Sequence, residues 1–347
     1  MTSTMLPLPP FFDPANAERH AFAADPARVF AAAAEWRRAH AVAPAWADRV
    51  RVHLLLIDVQ KDFCFPEGSL YVGGRSGRGA IDDNRRTAEF IYRNLAWLTN
   101  ITTTLDTHFA FQIFFPSFWV GKDGAPLRAH REVSSEDIDQ GEARPNPDVA
   151  SWLCGGDQAW LLAQMRDYCA QLEKAGKYRL YLWPPHCLLG SPGHTLAGII
   201  EEARLFHSFA RGVQSWIEEK GSNPLTENYS VLRSEVLSRH DGVALAERNT
   251  ALVERLLGSD KLVIAGQAAS HCVKSTIDDL LDAIRARDPA LAQKVYVLED
   301  CMSAVTVPDD RGGFLADFTQ QAEASLARYV DAGMHVVRST DPVDTWP

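Results

Sequence analysis

The amino-acid sequence predicts an α/β fold in which helices cover both faces of a mainly parallel sheet. Apolar runs of strand length alternate with segments of helical periodicity, most clearly in the second half of the chain. The runs R-V-H-L-L-L-I-D-V (51–59) and K-L-V-I-A-G (261–266) are almost continuously apolar. Such runs are typical of strands that are buried on both faces. A chain of 347 residues with 46% hydrophobic residues can bury a large core.

The elements follow from local patterns along the chain. Residues 1–50 are predicted to form an N-terminal extension, Pro-rich at first and helical from about residue 25 to 41. The polar, Gly- and Pro-containing stretch 120–157 predicts a long loop or insertion. Strands are predicted at 51–59, 101–106, 178–183, 261–266, 294–299 and 334–338. Helices are predicted at 84–99, 158–174, 195–219, 244–257, 273–287 and 311–332.

The composition indicates which kinds of partner the protein is expected to bind. The formal net charge is −10, and no face of clustered Lys and Arg indicates nucleic-acid binding. The six cysteines are widely spaced without a C-x-x-C pair, which favours free thiols in a cytoplasmic, reducing setting. We expect neither a secretory signal nor a membrane span, because the sequence has no basic start followed by a long apolar core and no apolar run of spanning length.

Asp58 ends the first predicted strand, in I-D-V-Q-K-D-F. In open α/β sheets ligands bind beyond the carboxyl ends of the strands. A carboxylate there is partly desolvated, which raises its pKa toward the range of a general base. An Asp that caps a turn fits the same pattern equally well.

Asp106 and His108, in L-D-T-H, lie two residues apart at another strand end. Side chains at i and i+2 of a strand point to one face, so these two can converge on a zinc or iron ion. His186 follows two prolines, whose stiff backbone suits a third ligand. Taken alone, a solvated Asp and a hydrogen-bonded core His are the commoner outcomes. Cys187 competes as ligand or nucleophile, although a small buried residue is its simpler interpretation.

Lys220 and Cys272 complete the candidate chemistry. Lys220 is predicted to end a helix, where it either complements the helix dipole or stabilises a thiolate. Cys272, in A-G-Q-A-A-S-H-C-V, is predicted at a helix start, where the dipole and free N–H groups lower a thiol pKa and can hold an oxyanion. An inert buried cysteine is the commoner fate of a single Cys. A thiolate, a base and a cation together form a nucleophilic set.

These motifs occur together in an order that resembles the isochorismatase-like cysteine hydrolases, most closely their nicotinamidase branch. The resemblance spans about residues 51–305 and rests on I-D-V-Q-K-D-F, G-S-L-Y-V-G-G, L-D-T-H, W-P-P-H-C-L-L-G-S-P-G, E-E-K-G, N-Y-S and A-G-Q-A-A-S-H-C-V. It implies the three-layer α/β/α isochorismatase-like hydrolase fold over residues 51–347. An insertion at about 120–180 would interrupt that domain.

The resemblance also implies roles for individual residues. The implied catalytic triad is Asp58, Lys220 and Cys272. The implied ligands of one divalent metal ion, zinc first and iron or manganese as alternatives, are Asp106, His108 and His186. The implied oxyanion hole consists of the N–H groups of Ala268 and Cys272, beside a cis peptide between Gln267 and Ala268. The implied apolar walls of the substrate pocket are Phe63 and Tyr229.

The implied function is a metal-assisted cysteine amidohydrolase that releases ammonia from nicotinamide or a related aromatic carboxamide through a Cys272 thioester. Its partner would be a small-molecule amide, with self-association into a homo-oligomer as a further expectation. Two alternatives stay open: a hydrolase of another amide, ureido or carbamoyl compound, and a non-catalytic binding protein on the same fold. Thr107, the stretch F-A-F-Q-I-F-F-P (109–116) and the long insertion depart from the family pattern. These departures leave the exact amide open, since a reshaped insertion could select a larger or different one.

Overall fold

The computed structural model describes residues 5–176, 178–309 and 311–346. The strands are Val52–Ile57 (β1), Leu98–Asp106 (β2), Trp119–Val120 (β3), Arg131–Val133 (β4), Arg144–Pro145 (β5), Leu180–Leu182 (β6), Trp216–Lys220 (β7), Lys261–Gly266 (β8), Val295–Leu298 (β9), Thr306–Pro308 (β10), Phe314–Asp317 (β11) and His335–Val337 (β12). The helices are Pro26–Ala39 (α1), Lys61–Cys64 (α2), Gly79–Arg93 (α3), Ser135–Asp139 (α4), Pro147–Leu153 (α5), Gln158–Ala175 (α6), Gly198–Arg211 (α7), Thr250–Leu257 (α8), Cys272–Arg287 (α9) and Thr319–Asp331 (α10).

The centre of the molecule is a six-stranded sheet in the order β12-β9-β8-β1-β2-β7, in which all neighbouring strands run parallel. Side chains of β1 alternate between two cores. Leu54 and Leu56 pack in the core that includes α3 and α7, whereas Leu55 and Ile57 pack in the core that includes α8 and α9. The sheet is therefore buried on both faces, and the predicted three-layer α/β/α fold is confirmed.

The N-terminal segment packs on this body. Helix α1 begins after Asp25, whose side chain accepts hydrogen bonds from the N–H groups of Ala27 and Arg28. Val29 and Ala33 of α1 are buried in the same core as β1. The segment thus adds a helix to one face of the sheet, against α7.

The region predicted as a loop at 120–157 contains regular structure. It includes the short strands β3, β4 and β5 and the helices α4 and α5. These elements and α6 surround a third core, which includes Leu161, Met165 and Tyr168. Strand β6 pairs antiparallel with β4, so it lies outside the central sheet. The loop prediction was wrong because these elements are short and are stabilised by packing, which local polarity does not report.

The helix predicted at 195–219 was also wrong in its second half. Helix α7 ends at Arg211, and Gly212 adopts the left-handed conformation with φ 62°. Strand β7 follows and pairs with β2, which places Lys220 opposite Asp106. Lys220 therefore ends a strand of the central sheet and not a helix.

Other boundaries shifted by smaller amounts. The helix predicted at 84–99 is α3, which ends at Arg93, and β2 begins at Leu98. The helix predicted at 311–332 begins only at Thr319, after β11. No helix within the described residues has the length and apolarity needed to span a membrane.

Candidate active site

Four neighbouring strands bring the three predicted catalytic residues and the predicted metal ligand Asp106 to the carboxyl end of the sheet. Asp58 follows β1, Asp106 ends β2, Lys220 ends β7, and Cys272 opens α9 after β8. Because β7, β2, β1 and β8 are consecutive in the sheet, their carboxyl ends lie side by side.

The Lys220 ammonium lies at the centre of this group. Its Nζ is 3.0 Å from Asp58 Oδ2, 2.9 Å from Asp106 Oδ1 and 3.8 Å from Cys272 Sγ. It also donates to the Asn228 carbonyl oxygen at 2.8 Å. Burial alone would lower the pKa of Lys220, but the two carboxylates hold it well above its usual range. Lys220 is therefore a permanent cation that links the carboxylates to the thiol.

Asp58 is fully buried at the turn after β1, with φ 48°. The Thr104 hydroxyl donates to Asp58 Oδ1 at 2.5 Å and accepts from the Asp58 N–H at 3.0 Å. Burial raises the pKa of the Asp58 carboxyl, and the opposing charge of Lys220 limits that rise. The result is a carboxylate that is fixed in orientation and able to take up and return a proton.

Cys272 is the first residue of α9 and is buried. Burial raises the pKa of its thiol well above the usual range, and the neighbouring Lys220 only partly opposes this effect. Desolvation of the sulfur thus opposes the lowering of the thiol pKa that a helix start favours. A base beside the sulfur would favour its attack on a substrate.

The backbone before Cys272 approaches β1 closely. The Gln267 N–H donates to the Ile57 carbonyl oxygen at 2.7 Å, and the peptide between Gln267 and Ala268 is cis, as the resemblance implied. The Ala268 carbonyl oxygen accepts from His271 and Val273. Within the described part of the chain, the N–H groups of Ala268 and Cys272 donate no backbone hydrogen bond. Two donors are therefore free beside the sulfur.

Asp106, His108 and His186 form a candidate metal site. One ligand atom of each lies within 4.8 Å of the others, and all three residues are buried. The Nδ1 atoms of His108 and His186 lie 3.0 and 2.8 Å from the carbonyl oxygens of Gly221 and Pro184.

A carbonyl only accepts, so each Nδ1 carries a proton and each Nε2 faces Asp106. These Nε2 atoms lie 2.9 Å (His108) and 3.6 Å (His186) from Asp106 Oδ2. A ring nitrogen this close to a carboxylate oxygen needs either its own proton or a shared cation, and three buried ligand atoms can share one cation. The donor set therefore fits a divalent metal ion, with the His rings oriented by their carbonyl partners.

A small pocket lies over these groups. It is lined by Phe63, Leu70, Val72, Asp106, His108, Phe114, Trp183, His186, Glu227, Asn228, Tyr229, Gln267, Ala268, His271, Cys272 and Val305. Phe63 and Tyr229 are thus both in the pocket wall, where the sequence expected them.

Several pocket and support residues were missed from the sequence. The Trp183 indole donates to the Tyr229 hydroxyl at 2.8 Å. Gln60 donates to the Asp106 carbonyl oxygen at 2.8 Å and accepts from the Asp106 N–H at 2.7 Å, which fixes the end of β2. Cys187 is buried, and its backbone N–H donates to Asp62. It does not line the pocket, in agreement with the simpler interpretation of this cysteine.

No protein-family model and no curated protein sequence matches the chain. Among solved structures, it is similar to the yeast nicotinamidase Pnc1p bound to the inhibitor nicotinaldehyde, with a TM-score of 0.50 and 19% identity over 83% of this chain and 99% of that one. It is also similar to an Acinetobacter baumanii nicotinamidase/pyrazinamidase, with a TM-score of 0.47 and 17% identity over 84% and 97%. A third is the Pyrococcus horikoshii pyrazinamidase in complex with zinc, with a TM-score of 0.42 and 18% identity over 83% and 98%. The chain shares the fold of the yeast nicotinamidase structure.

Proposed function

We propose that the protein is a metal-assisted cysteine amidohydrolase that releases ammonia from nicotinamide or a related aromatic carboxamide. The observation that carries the proposal is the position of Lys220, whose single ammonium contacts Asp58, Asp106 and the Cys272 thiol. A base, a nucleophile and a metal ligand are thereby joined in one buried network beside an apolar pocket. The shared fold supports the same proposal, since a structure with that fold is a nicotinamidase that binds an aldehyde inhibitor.

The first half of the reaction forms a thioester. Asp58 takes the thiol proton, and the Cys272 sulfur attacks the carboxamide carbon. The electron pair of the C=O bond moves to oxygen, and the N–H groups of Ala268 and Cys272 hold the resulting oxyanion. When the C=O bond re-forms, the C–N bond breaks, and the leaving nitrogen receives the proton from Asp58 and departs as ammonia.

The second half restores the enzyme. Asp58, again a carboxylate, takes a proton from water while the water oxygen attacks the thioester carbon. The C–S bond breaks, the carboxylic acid is released, and the sulfur regains its proton from Asp58. Lys220 stays protonated throughout and balances the charge that moves between Asp58 and Cys272.

Asp106, His108 and His186 would hold the metal, and we propose zinc because three nitrogen and oxygen ligands with open positions are its usual catalytic set. When bound, the ion would supply a Lewis-acid contact for the ring nitrogen of the substrate. Phe63 and Tyr229 would contact the flat ring on its faces.

A larger amide is the second candidate for the substrate. A broad groove adjoins the pocket and shares Trp183, Tyr229 and His271 with it. Tyr178, Arg179 and Tyr181, from the predicted insertion, also line this groove. An aromatic carboxamide with a second group could therefore place its amide at Cys272 and extend into the groove.

The test is ammonia release from a panel of carboxamides that runs from nicotinamide to larger aromatic amides, with metal-free and metal-loaded protein. We expect release with loaded protein and none from Cys272→Ala. Cys187→Ala, which changes a buried cysteine outside the pocket, should retain activity. If loaded wild-type protein releases no ammonia from any amide of the panel, the proposed function is wrong.

A further inference from the structure

A buried polar pair connects α3 to the turn that precedes the nucleophile. Asp83 of α3 and Gln267 are 2% and 1% exposed, and Gln267 Nε2 donates to Asp83 Oδ2 at 3.0 Å. The other oxygen of Asp83 accepts from Arg86 at 2.7 Å. Asp83 does not line the pocket, and the mechanism described above does not use it.

The pair belongs to a set of bonds that hold the turn from several sides. The Gln267 N–H is bonded to Ile57, the residue before Asp58, at 2.7 Å. Gln267 Oε1 accepts from the Ser303 N–H at 3.4 Å, and the Ala269 N–H donates to the Ser303 carbonyl oxygen at 2.8 Å. A side chain at Gly79, where α3 begins, would collide with Ser303. Helix α3 and residue 303 thus both contact the turn.

Gln267 and Ala268 share one peptide group, so the side chain of Gln267 anchors the N–H of Ala268. We infer that Asp83 is a positioning residue, which acts through Gln267 to fix the direction of the Ala268 N–H toward a substrate oxyanion. This inference rests on the proposed function. It concerns a residue that contacts neither the substrate pocket nor the three candidate metal ligands.

The chemistry of the Asp83–Gln267 pair supports a role in orienting the turn. Burial raises the pKa of the Asp83 carboxyl to about 6, which shows that its charged form is disfavoured in this place. Apolar residues of similar size are often at least as stable as a buried charged arrangement. Directional bonds, in contrast, specify one orientation of the Gln267 carboxamide, which apolar contacts do not.

The test compares Asp83→Leu, Gln267→Leu and the double variant, in complete, metal-loaded protein. We expect each single variant to lower kcat about tenfold or more with little change in KM, because a misplaced oxyanion donor weakens only the transition state. The double variant should lose no more than the more impaired single variant, since both substitutions break the same link. Asp83→Asn should recover most of the lost kcat, because its amide oxygen can still accept from Gln267.

Two further measurements separate positioning from a general loss of structure. Acylation of Cys272 by p-nitrophenyl acetate needs the oxyanion hole and should fall with kcat, whereas alkylation by iodoacetamide does not need it and should change less than about twofold. The control is Asn94→Ala at the other end of α3, where the side chain donates only to the Phe90 carbonyl oxygen. This variant should lower the melting temperature while kcat is retained. Should Asp83→Leu fail to fold, Gln267→Met, which keeps the length without the bond, takes its place.

The inference is overturned if the leucine variants keep the wild-type kcat and ester acylation rate, if their losses multiply in the double variant, or if alkylation falls in parallel with acylation. A different result would show that the proposed function is wrong: wild-type protein would release no ammonia from any carboxamide. The rate of ester acylation of Cys272 in the variants would still decide whether Asp83 positions the turn.

Discussion

At the scale of single residues, the charges around Lys220 determine what the site can do. Asp58 and Asp106 are both buried, and one ammonium contacts both. Burial would raise the pKa of Asp106, but His108 and Lys220 hold it well below its usual range, so Asp106 stays a carboxylate. Asp58, whose pKa is raised, is the carboxylate that can exchange a proton. One cation therefore separates two chemically different carboxylates.

Replacement of Lys220 tests this division. Lys220→Met leaves two buried carboxylates without their cation, and removal of one partner of a buried ion pair costs about 3–5 kcal/mol of unfolding free energy. We expect that loss in urea denaturation and no detectable ammonia release. Lys122→Met, which breaks an exposed ion pair with Glu142, should cost less than about 1 kcal/mol. Equal losses in the two variants would contradict the central role of Lys220.

Thr104→Val tests the orientation and pKa of Asp58. The Thr104 hydroxyl donates to the Asp58 carboxylate, and such a bond lowers a carboxyl pKa because it stabilises the charged form. Its removal should raise the pKa of Asp58, so the acid limb of the kcat/KM profile should move to higher pH. Thr103→Val, whose hydroxyl donates to the Trp216 carbonyl oxygen, is the control on the same strand. An unchanged acid limb in Thr104→Val would exclude Asp58 as the base that this limb reports.

The sequence predicted the residues that carry local motifs and missed those that act across the sheet. Asp58, Asp106, His108 and Cys272 lie in motifs whose spacing indicates strand or helix ends. Thr104 and Gln60, in contrast, contact Asp58 and Asp106 across neighbouring strands, 46 residues apart in sequence. No local pattern reports such contacts, because they depend on the register between β1 and β2.

At the scale of elements, β7 shows why one prediction failed. W-I-E-E-K is an edge strand whose Trp216 and Ile217 are both exposed, so it lacks the apolar run of a central strand. The two Glu residues favour helix and follow an amphipathic helix, so the local pattern predicts that this helix continues to residue 219. The guanidinium of Arg255 lies over the Trp216 ring at 4.4 Å and pairs with Glu218, which covers this edge with charge.

The end of β7 also supports the candidate metal site. Gly221 has φ 86°, and a side chain there would collide with His108 and Asp106. Gly221→Ala should therefore displace these ligands and weaken metal binding, measured as metal retained against a chelator. Gly212, at the end of α7, has a similar φ of 62°, and a side chain there would make only an ordinary contact with Arg37 at 3.9 Å. Gly212→Ala should therefore lower stability by about 1 kcal/mol and leave metal binding unchanged. Equal metal retention by the two variants would argue against ligand displacement.

At the scale of the whole molecule, the sequence predicted the central sheet and its helices more completely than the segments 1–50 and about 120–180. Continuous apolar strands and alternating helices indicated the parallel sheet, because both patterns follow from burial on two faces. The region 120–157 was missed because short strands and helices have weak local signals. We propose that residues 1–50 and about 120–180 are additions to a hydrolase domain at 51–347. The first lies against α7, and two residues of the pocket wall, Phe114 and Trp183, flank the second.

Glu202 of α7, which lies near Arg28 of α1, should make the free energy of unfolding depend on pH. Burial raises the pKa of Glu202 to about 7, although the charge of Arg28 in α1 opposes this. Its folded pKa lies above its unfolded value of 4.5, so the folded protein holds the proton more tightly. Stability from this group is therefore lost as pH rises from about 4.5 to 7. Glu202→Gln should become more stable relative to wild type across that window by roughly 1–2 kcal/mol, because solvent screens part of the charge of this carboxyl; urea denaturation at pH 4.5 and pH 8 measures the difference. A constant difference between the two proteins would contradict the buried position of this carboxyl.

The most direct test of the central claim is a search for the acyl-enzyme. Metal-loaded protein is mixed with nicotinamide or with the best amide of the panel, quenched in acid within the first turnover, and weighed intact by mass spectrometry. We predict a mass increase of one acyl group, located on the peptide that contains Cys272, with one equivalent of ammonia released. Cys272→Ala should give neither the adduct nor the ammonia. Ammonia release by Cys272→Ala at the wild-type rate, or an acyl group on a different residue, would contradict the assignment of Cys272 as the nucleophile.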